Sequence, residues 1–154
     1  MNKYMKAAYN EALKNIEGYE GGPFGAVIVK DGEIIAAANN QVLATNDPTM
    51  HAEIAAIRIA TKKLGRFSLH DCRIYATCEP CPMCMAAIIW AKIPKLYYGA
   101  NRKDAESIGF DDNYIYEFIK GTAVEKSTSV EVLNRNECIG LFDKWMKKED
   151  KEMY

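Results

Sequence analysis

The sequence predicts an α/β fold, a three-layer α/β/α sandwich around a five-stranded mixed sheet. Three observations lead to this fold class. An apolar, β-branched hairpin surrounds Asp31-Gly32, a strand–helix–strand unit lies between residues 72 and 100, and segments with helical spacing of apolar residues accompany both. A chain of 154 residues has the length of one domain, so we expect residues 1–154 to form a single domain.

The first part of the chain predicts a helix and an antiparallel hairpin. Apolar residues recur at helical spacing over 3–17, and Gly18 is a typical residue to end that helix. Two apolar segments, 24–30 and 33–38, are separated by the two-residue turn Asp31-Gly32. We therefore expect two paired antiparallel strands after the first helix.

The middle of the chain predicts a second helix and a parallel strand pair. Asp47 has the chemistry of an N-cap, Pro48 suits the first helical position, and Gly65 closes a helix over 48–63. The following unit consists of a strand over 72–77, a helix over 82–91 and a strand over 95–100. Strands joined through a helix in this way are parallel, so the sheet is mixed.

The last part of the chain predicts the fifth strand. We expect a helix near 111–120, a strand near 128–133 and a final helix over about 137–148. No repeat, linker or low-complexity segment interrupts the sequence.

Charge and cysteine content narrow the function classes. Twenty Lys and Arg residues balance twenty-one Asp and Glu residues, and the net charge of −1 argues against duplex nucleic acid as the main ligand. The five cysteines are an odd number, and no stretch near residue 1 has the regions of a signal peptide. The longest apolar run, 85–91, is far shorter than a membrane-spanning helix. We expect a cytoplasmic protein in a reducing compartment.

Two short motifs carry potential metal ligands. His51-Ala52-Glu53 and Cys81-Pro82-Met83-Cys84 lie at or near the starts of two predicted helices. One imidazole and two thiolates form a three-ligand zinc set, which leaves the fourth tetrahedral position open as in catalytic sites. Helix N-termini also lower thiol pKa values, which favours His51, Cys81 and Cys84 as the ligands.

Glu53 is the predicted proton carrier of this site. It follows His51 by two residues, an offset that places it off the face shared by residues four apart on a helix. The pair H-x-E and P-C-x-x-C is the mark of zinc-dependent nucleobase deaminases, in which the glutamate acts as acid and base rather than as a ligand. The motifs therefore predict hydrolytic deamination of a base.

Other interpretations of the cysteines remain open. The CPxC segment also suits a thiol–disulfide redox protein, although that reading leaves His51 and Glu53 unexplained. A closed structural zinc site would need a fourth ligand, for which the chain offers His70, Cys72 or Cys78. An iron–sulfur site is excluded because Ile88 stands where the fourth cysteine of such a run belongs.

The whole set of motifs resembles the cytidine deaminase-like superfamily and, within it, the small bacterial guanine deaminases. The resemblance covers nearly the whole chain and is carried by residues 21–27, 46–49, 51–53, 78–84 and 109–112 and by Tyr154. It implies one Zn²⁺ per chain and the conversion of guanine and water to xanthine and ammonia. Cytosine, purine nucleosides, aminotriazines and tRNA adenosine remain alternative substrates, and the balanced charge favours a free base over a tRNA.

The resemblance also implies residue roles. Asp112 becomes a substrate anchor and a proton shuttle that works with Glu53. The residues expected to bind the substrate are Phe24, Asn40, Ala52, Trp90, Asp112 and Tyr154. Each has a structural alternative: Phe24 and Trp90 as core residues, Asn40 as a loop residue, and Asp112 as a helix cap.

The resemblance finally implies a homodimer with exchanged C-terminal segments. Residues 137–154 resemble a segment that crosses to the partner subunit, where Tyr154 covers the neighbouring active site. Taken without the resemblance, the charged end of this segment is an ordinary solvated terminus.

Overall fold

The computed structural model describes residues 1–124 and 127–153, which divide into two compact units, Met1–Gly121 and Thr122–Tyr154. The first unit contains, in order, α1 (Lys3–Glu17), β1 (Gly25–Lys30), β2 (Glu33–Asn39), α2 (Val42–Thr45), α3 (Ala52–Leu64), β3 (Cys72–Cys78), α4 (Pro82–Trp90), β4 (Lys95–Ala100), α5 (Arg102–Ser107) and α6 (Asn113–Lys120). The second unit contains α7 (Arg135–Met146). Among the described residues, no helix is both long and apolar enough to cross a membrane.

The sheet is mixed, as predicted. Its strand order is β2-β1-β3-β4; β1 pairs antiparallel with β2 and β3, and β3 pairs parallel with β4. Asp31 and Gly32 join β1 to β2 with positive φ angles of 49° and 83°, the backbone conformation that a two-residue hairpin turn requires. Both the hairpin and the parallel strand pair are confirmed.

Helices cover both faces of the sheet. Alternate residues of β1 point to opposite faces: Val27 and Val29 pack with Ala8 of α1, whereas Ala26 and Ile28 belong to the larger cluster that includes residues of α3 and α4. The period of two along β1 thus produces the α/β/α layering of the first unit.

The prediction of five strands is wrong, because the described residues form a sheet of four. Residues 128–133 form no strand, and Val130 and Val132 are 76% and 81% exposed. The alternating apolar residues of this segment favour a β-strand. A strand also needs a partner strand that accepts its backbone hydrogen bonds, so β propensity alone is not sufficient.

The observed helix boundaries differ most from the predicted ones at the start of α3. Its N-cap is His51, not Asp47. Asp47 Oδ1 instead accepts hydrogen bonds from the backbone N–H and the hydroxyl of Thr49, at 2.8 and 2.6 Å, and so closes a turn ahead of the helix. The short helices α2 and α5 were not predicted, and α5 begins with a capping box between Asn101 and Asp104.

Candidate metal and catalytic site

Three side chains form a cluster with the spacing of metal ligands. His51 Nδ1 lies 3.6 Å from Cys81 Sγ and 3.6 Å from Cys84 Sγ, and all three ligand atoms lie within 4.8 Å of one another. A tetrahedral zinc ion with ordinary Zn–N and Zn–S bonds separates its nitrogen and sulfur ligands by about 3.6 Å. The cluster therefore fits zinc in both donor chemistry and size.

Two helix N-termini bring the ligands together. His51 is the N-cap of α3 and Cys81 is the N-cap of α4, and neither side chain makes a capping hydrogen bond to its own helix. Pro82 occupies the first turn of α4, where its missing N–H costs nothing. Cys84 is fully buried on the same helix. Both helix ends thus present their ligands to one point.

The two thiols of the cluster share one negative charge. Hydrogen bonds from Cys84 and His51 lower the pKa of Cys81 to about 4. The pKa of Cys84 is raised, first by its hydrogen bond to Cys81 and then by burial. A site with one thiolate already formed is suited to a cation, and cation binding favours the loss of the second thiol proton.

Glu53 lies beside the cluster without belonging to it. Glu53 lies in the first turn of α3 and is only 7% exposed. Burial raises the pKa of its carboxyl above the ordinary value. A carboxyl group with a raised pKa both accepts and returns protons more readily near neutral pH than an exposed one does. The role of Glu53 as proton carrier stays a prediction.

One cavity of about 200 Å³ joins this cluster to the predicted substrate residues. The predicted residues that line it are Phe24, Asn40, His51, Glu53, Cys81 and Asp112. The volume is below the ~300 Å³ at which pockets for drug-sized ligands begin, so the cavity suits a small planar molecule.

The aromatic wall of the cavity is a pair of phenylalanines. The rings of Phe24 and Phe110 meet edge to face, with their centroids 4.9 Å apart. Phe24 O accepts a hydrogen bond of 3.0 Å from the N–H of Asn40, which couples this wall to the polar side of the cavity. Phe24 therefore belongs to the cavity and also packs against the core.

Two consecutive aspartates before α6 divide their roles. Asp111 Oδ1 accepts a 2.8 Å hydrogen bond from the N–H of Asn113, whereas Asp112, the N-cap residue, makes no such side-chain bond. Burial raises the pKa of Asp112, and the positive charge of Arg102 opposes that rise. Both aspartates line the cavity, but only Asp111 satisfies the helix end with its side chain.

Arg102 is a cavity residue that the sequence reasoning missed. Three contacts fix it. Nη2 donates to Asn113 Oδ1 at 2.6 Å, and the guanidinium lies 4.5 Å from the ring centroid of Tyr116. The backbone N–H of Arg102 donates to Glu79 Oε2 at 3.1 Å. No motif signalled this position, because its role depends on residues far along the chain. Phe110, which lies in the segment 109–112 that carries the family resemblance, also lines the cavity, although the resemblance implied no role for it.

Two predicted substrate residues, Trp90 and Ala52, do not line the cavity. Trp90, at the end of α4, is 66% exposed and does not line the cavity. Ala52, the first residue of α3, is fully buried and does not line it either. Tyr154 lies outside the described residues. Within the described ranges, neither His70, Cys72 nor Cys78 joins the metal cluster, so a closed four-ligand site receives no support.

Comparisons with known proteins agree with this site. Residues 1–100 match the family described as the cytidine and deoxycytidylate deaminase zinc-binding region. A guanine deaminase of Bacillus subtilis (strain 168) is 44% identical over 151 residues, which cover 98% of this chain and 97% of the relative. An X-ray structure of guanine deaminase from Bacillus subtilis superposes with a TM-score of 0.94 at 44% identity, covering 100% of this chain and 99% of that chain.

A second group of relatives is similar over a shorter stretch. A tRNA-specific adenosine deaminase of Agrobacterium fabrum is 53% identical over 78 residues, which cover 51% of this chain and 51% of the relative. The likeness to this group is therefore partial, whereas the likeness to the Bacillus proteins extends over nearly the whole chain.

Proposed function

Since the chain belongs to the cytidine and deoxycytidylate deaminase zinc-binding family, we propose that it hydrolyses guanine to xanthine and ammonia. The observation that carries the proposal is one small cavity lined by the buried Glu53, by Asp112 and by His51 and Cys81 of the three-ligand metal cluster. The full-length likeness to a guanine deaminase supports the choice of base.

His51, Cys81 and Cys84 are the residues that would hold the zinc ion. When bound, zinc supplies the acidification of a water molecule, which makes water nucleophilic near neutral pH. Two thiolates offset the charge of the zinc ion, and the N-terminus of α4, which carries both cysteines, stabilises the thiolates.

Glu53 moves the protons of the reaction. Its carboxylate accepts a proton from the water that attacks C2 of guanine and passes it to the adjacent ring nitrogen. It then accepts the second proton, from the new hydroxyl group on C2, and passes it to the departing amine. The C2–N bond breaks, a C2–O bond replaces it, and guanine plus water becomes xanthine plus ammonia. Asp112, which lines the same cavity at the start of α6, assists the transfer to the amine.

Polar and aromatic residues hold the base. Guanine offers ring and exocyclic N–H donors, and the carboxylate of Asp112 accepts hydrogen bonds from them. Its carbonyl and ring nitrogen accept hydrogen bonds, which the side-chain amide of Asn40 donates. Phe24 and Phe110 contact the flat faces and edge of the base. A base without these donors leaves a buried acceptor unpaired, and this is the source of selectivity.

The second candidate is deamination of tRNA adenosine, which the likeness over 78 residues favours. The net charge of −1 argues against this activity, because tRNA binding depends on Lys and Arg residues that neutralise the phosphates. Cytosine deamination is a further alternative with the same chemistry.

Ammonia release from guanine, cytosine, adenine, guanosine and cytidine, and from a tRNA with adenosine in its anticodon, tests these proposals together. We expect turnover of guanine well above that of the other substrates. Turnover of cytosine or of the tRNA with guanine inert would contradict the choice of substrate and leave the proton chemistry of Glu53 standing.

We also propose that the enzyme acts in cytoplasmic purine metabolism as a homodimer with exchanged C-terminal segments. The apolar residues Val130, Leu133, Leu141 and Phe142 of the second unit are all more than 60% exposed in the single chain, and burial against a partner would stabilise them. In such a dimer, Tyr154 covers the partner's cavity and excludes bulk water. Sedimentation analysis of the purified protein tests the stoichiometry, and a monomer contradicts it.

A further inference from the structure

A buried asparagine outside the cavity forms hydrogen bonds with two segments of the cavity wall. Asn15 lies near the end of α1, is buried, and does not line the cavity. Its side-chain Nδ2 donates to Gly22 O at 2.7 Å and to Asn40 O at 2.8 Å. Both donors of one amide thus bind backbone carbonyls that are 18 residues apart in the sequence.

These two carbonyls belong to the segments that carry substrate-facing residues. Gly22 O also accepts a 2.8 Å hydrogen bond from the N–H of Phe24, and the N–H of Asn40 donates to Phe24 O at 3.0 Å. Asn15, Phe24 and Asn40 therefore form one closed set of hydrogen bonds. A movement of the Asn15 amide moves both the aromatic and the polar side of the cavity.

A second asparagine fixes the orientation of the Asn15 amide. Asn39, the last residue of β2, donates from Nδ2 to Asn15 Oδ1 at 2.7 Å and to Glu20 Oε2 at 2.5 Å. Because the oxygen of Asn15 faces this donor, its nitrogen faces the two carbonyls. Asn15 and Asn39 are buried, so no bulk water replaces a lost hydrogen bond at low cost.

The segment beside Asn40 leaves no room for adjustment. A Cβ on Gly21 would lie 2.1 Å from Asn40 Oδ1 and 2.8 Å from its backbone oxygen. Asn40 Oδ1 also accepts a 3.2 Å hydrogen bond from the N–H of Val42, so its Nδ2 is the group offered as a donor. The position of the Asn40 side-chain amide thus depends on the contacts of the Asn40 backbone. One of these, the hydrogen bond from Asn15 to Asn40 O, is buried.

We propose that Asn15 is a positioning residue for the deamination reaction, which sets the placement of Asn40 and Phe24 against the substrate. The inference rests on the proposed function, since it assumes that these two residues contact the base. Asn15 itself touches neither the base nor the metal ligands.

The test uses Asn15→Asp in the full-length, zinc-loaded enzyme. The substitution conserves shape, but it removes both N–H donors and sets a carboxylate oxygen against two carbonyls. A displacement of about 1 Å in a binding group costs up to ~100-fold in rate. We expect kcat/KM to fall about 10- to 100-fold, mainly through a higher KM, with zinc content unchanged.

Asn10→Asp is the matched control, because Asn10 is exposed on the same helix. It should leave KM unchanged. Asn15→Ser keeps one hydroxyl donor and should give a KM between those of the wild type and Asn15→Asp. If Asn15→Asp does not fold, the KM of Asn15→Ser decides the question.

A purely structural role gives a different pattern. Lower thermal stability and fewer active molecules, with KM equal to that of the wild type, would overturn the positioning role. The measurements use whichever base the wild type deaminates. A wild type active on cytosine but not guanine therefore contradicts the proposed substrate alone, while the KM values still test Asn15.

Discussion

Glu53→Gln separates proton transfer from every other property of the site. The substitution keeps the size and shape of a residue that is almost completely buried, so it opens no cavity in the core. It removes the ionisable group while retaining a hydrogen-bonding amide. Because His51, Cys81 and Cys84 form the metal cluster without Glu53, the zinc content should not change.

The expected loss follows from the number of steps that Glu53 performs. Positioned general acid–base catalysis contributes about 10²- to 10⁴-fold to one proton transfer. Glu53 carries one proton from water to the ring nitrogen and a second from the new C2 hydroxyl to the amine, so the loss should lie toward the upper end of that range. We expect kcat to fall at least ~10³-fold with KM nearly unchanged.

The assay follows xanthine by absorbance and ammonia by a coupled enzyme, with zinc per chain measured on the same samples. Glu33→Gln is the matched control, because Glu33 is exposed on β2, and it should retain wild-type activity. A Glu53→Gln enzyme within about tenfold of wild type, with its zinc intact, would refute the role of Glu53 as proton carrier.

Two further predictions concern Arg102 and the C-terminal residue. Burial raises the pKa of Asp112 and Arg102 opposes that rise, so Arg102→Leu should raise this pKa further and move the acidic limb of kcat/KM to higher pH. Arg102→Lys keeps the positive charge and should leave the limb near its wild-type position. If the limb does not move in Arg102→Leu either, the effect of Arg102 on Asp112 is contradicted. Mixing inactive Glu53→Gln subunits with subunits lacking Tyr154 should restore up to about a quarter of wild-type activity through hybrid dimers; no recovery, with hybrids present, contradicts the exchanged segment.

Local chemistry made much of the fold predictable. The hairpin could be predicted from Asp31-Gly32, and both residues have positive φ angles in the structure. The observed bounds of α4 and β4 agree closely with the predicted 82–91 and 95–100. The segment 128–133 misled because alternation of apolar residues says nothing about whether a partner strand is present. Asp47 misled because the same side chain closes a turn as readily as it caps a helix.

The site divides in the same way. His51, Cys81 and Cys84 could be predicted because each motif lies at one helix start, and the topology then brings the two starts together. Arg102 and Asn15 could not be predicted, since their partners lie on other elements and their residue types are ordinary for exposed helix positions. The contacts that position a site are tertiary, whereas the groups that perform its chemistry carry local motifs.

The most direct test of the account measures xanthine and ammonia released from guanine by the purified protein before and after its metal is removed. We expect equal amounts of both products from protein with one zinc per chain, loss of turnover on chelation, and recovery when zinc is restored. Guanine left unchanged by zinc-loaded protein, or guanine turnover that survives complete removal of zinc, would contradict this expectation.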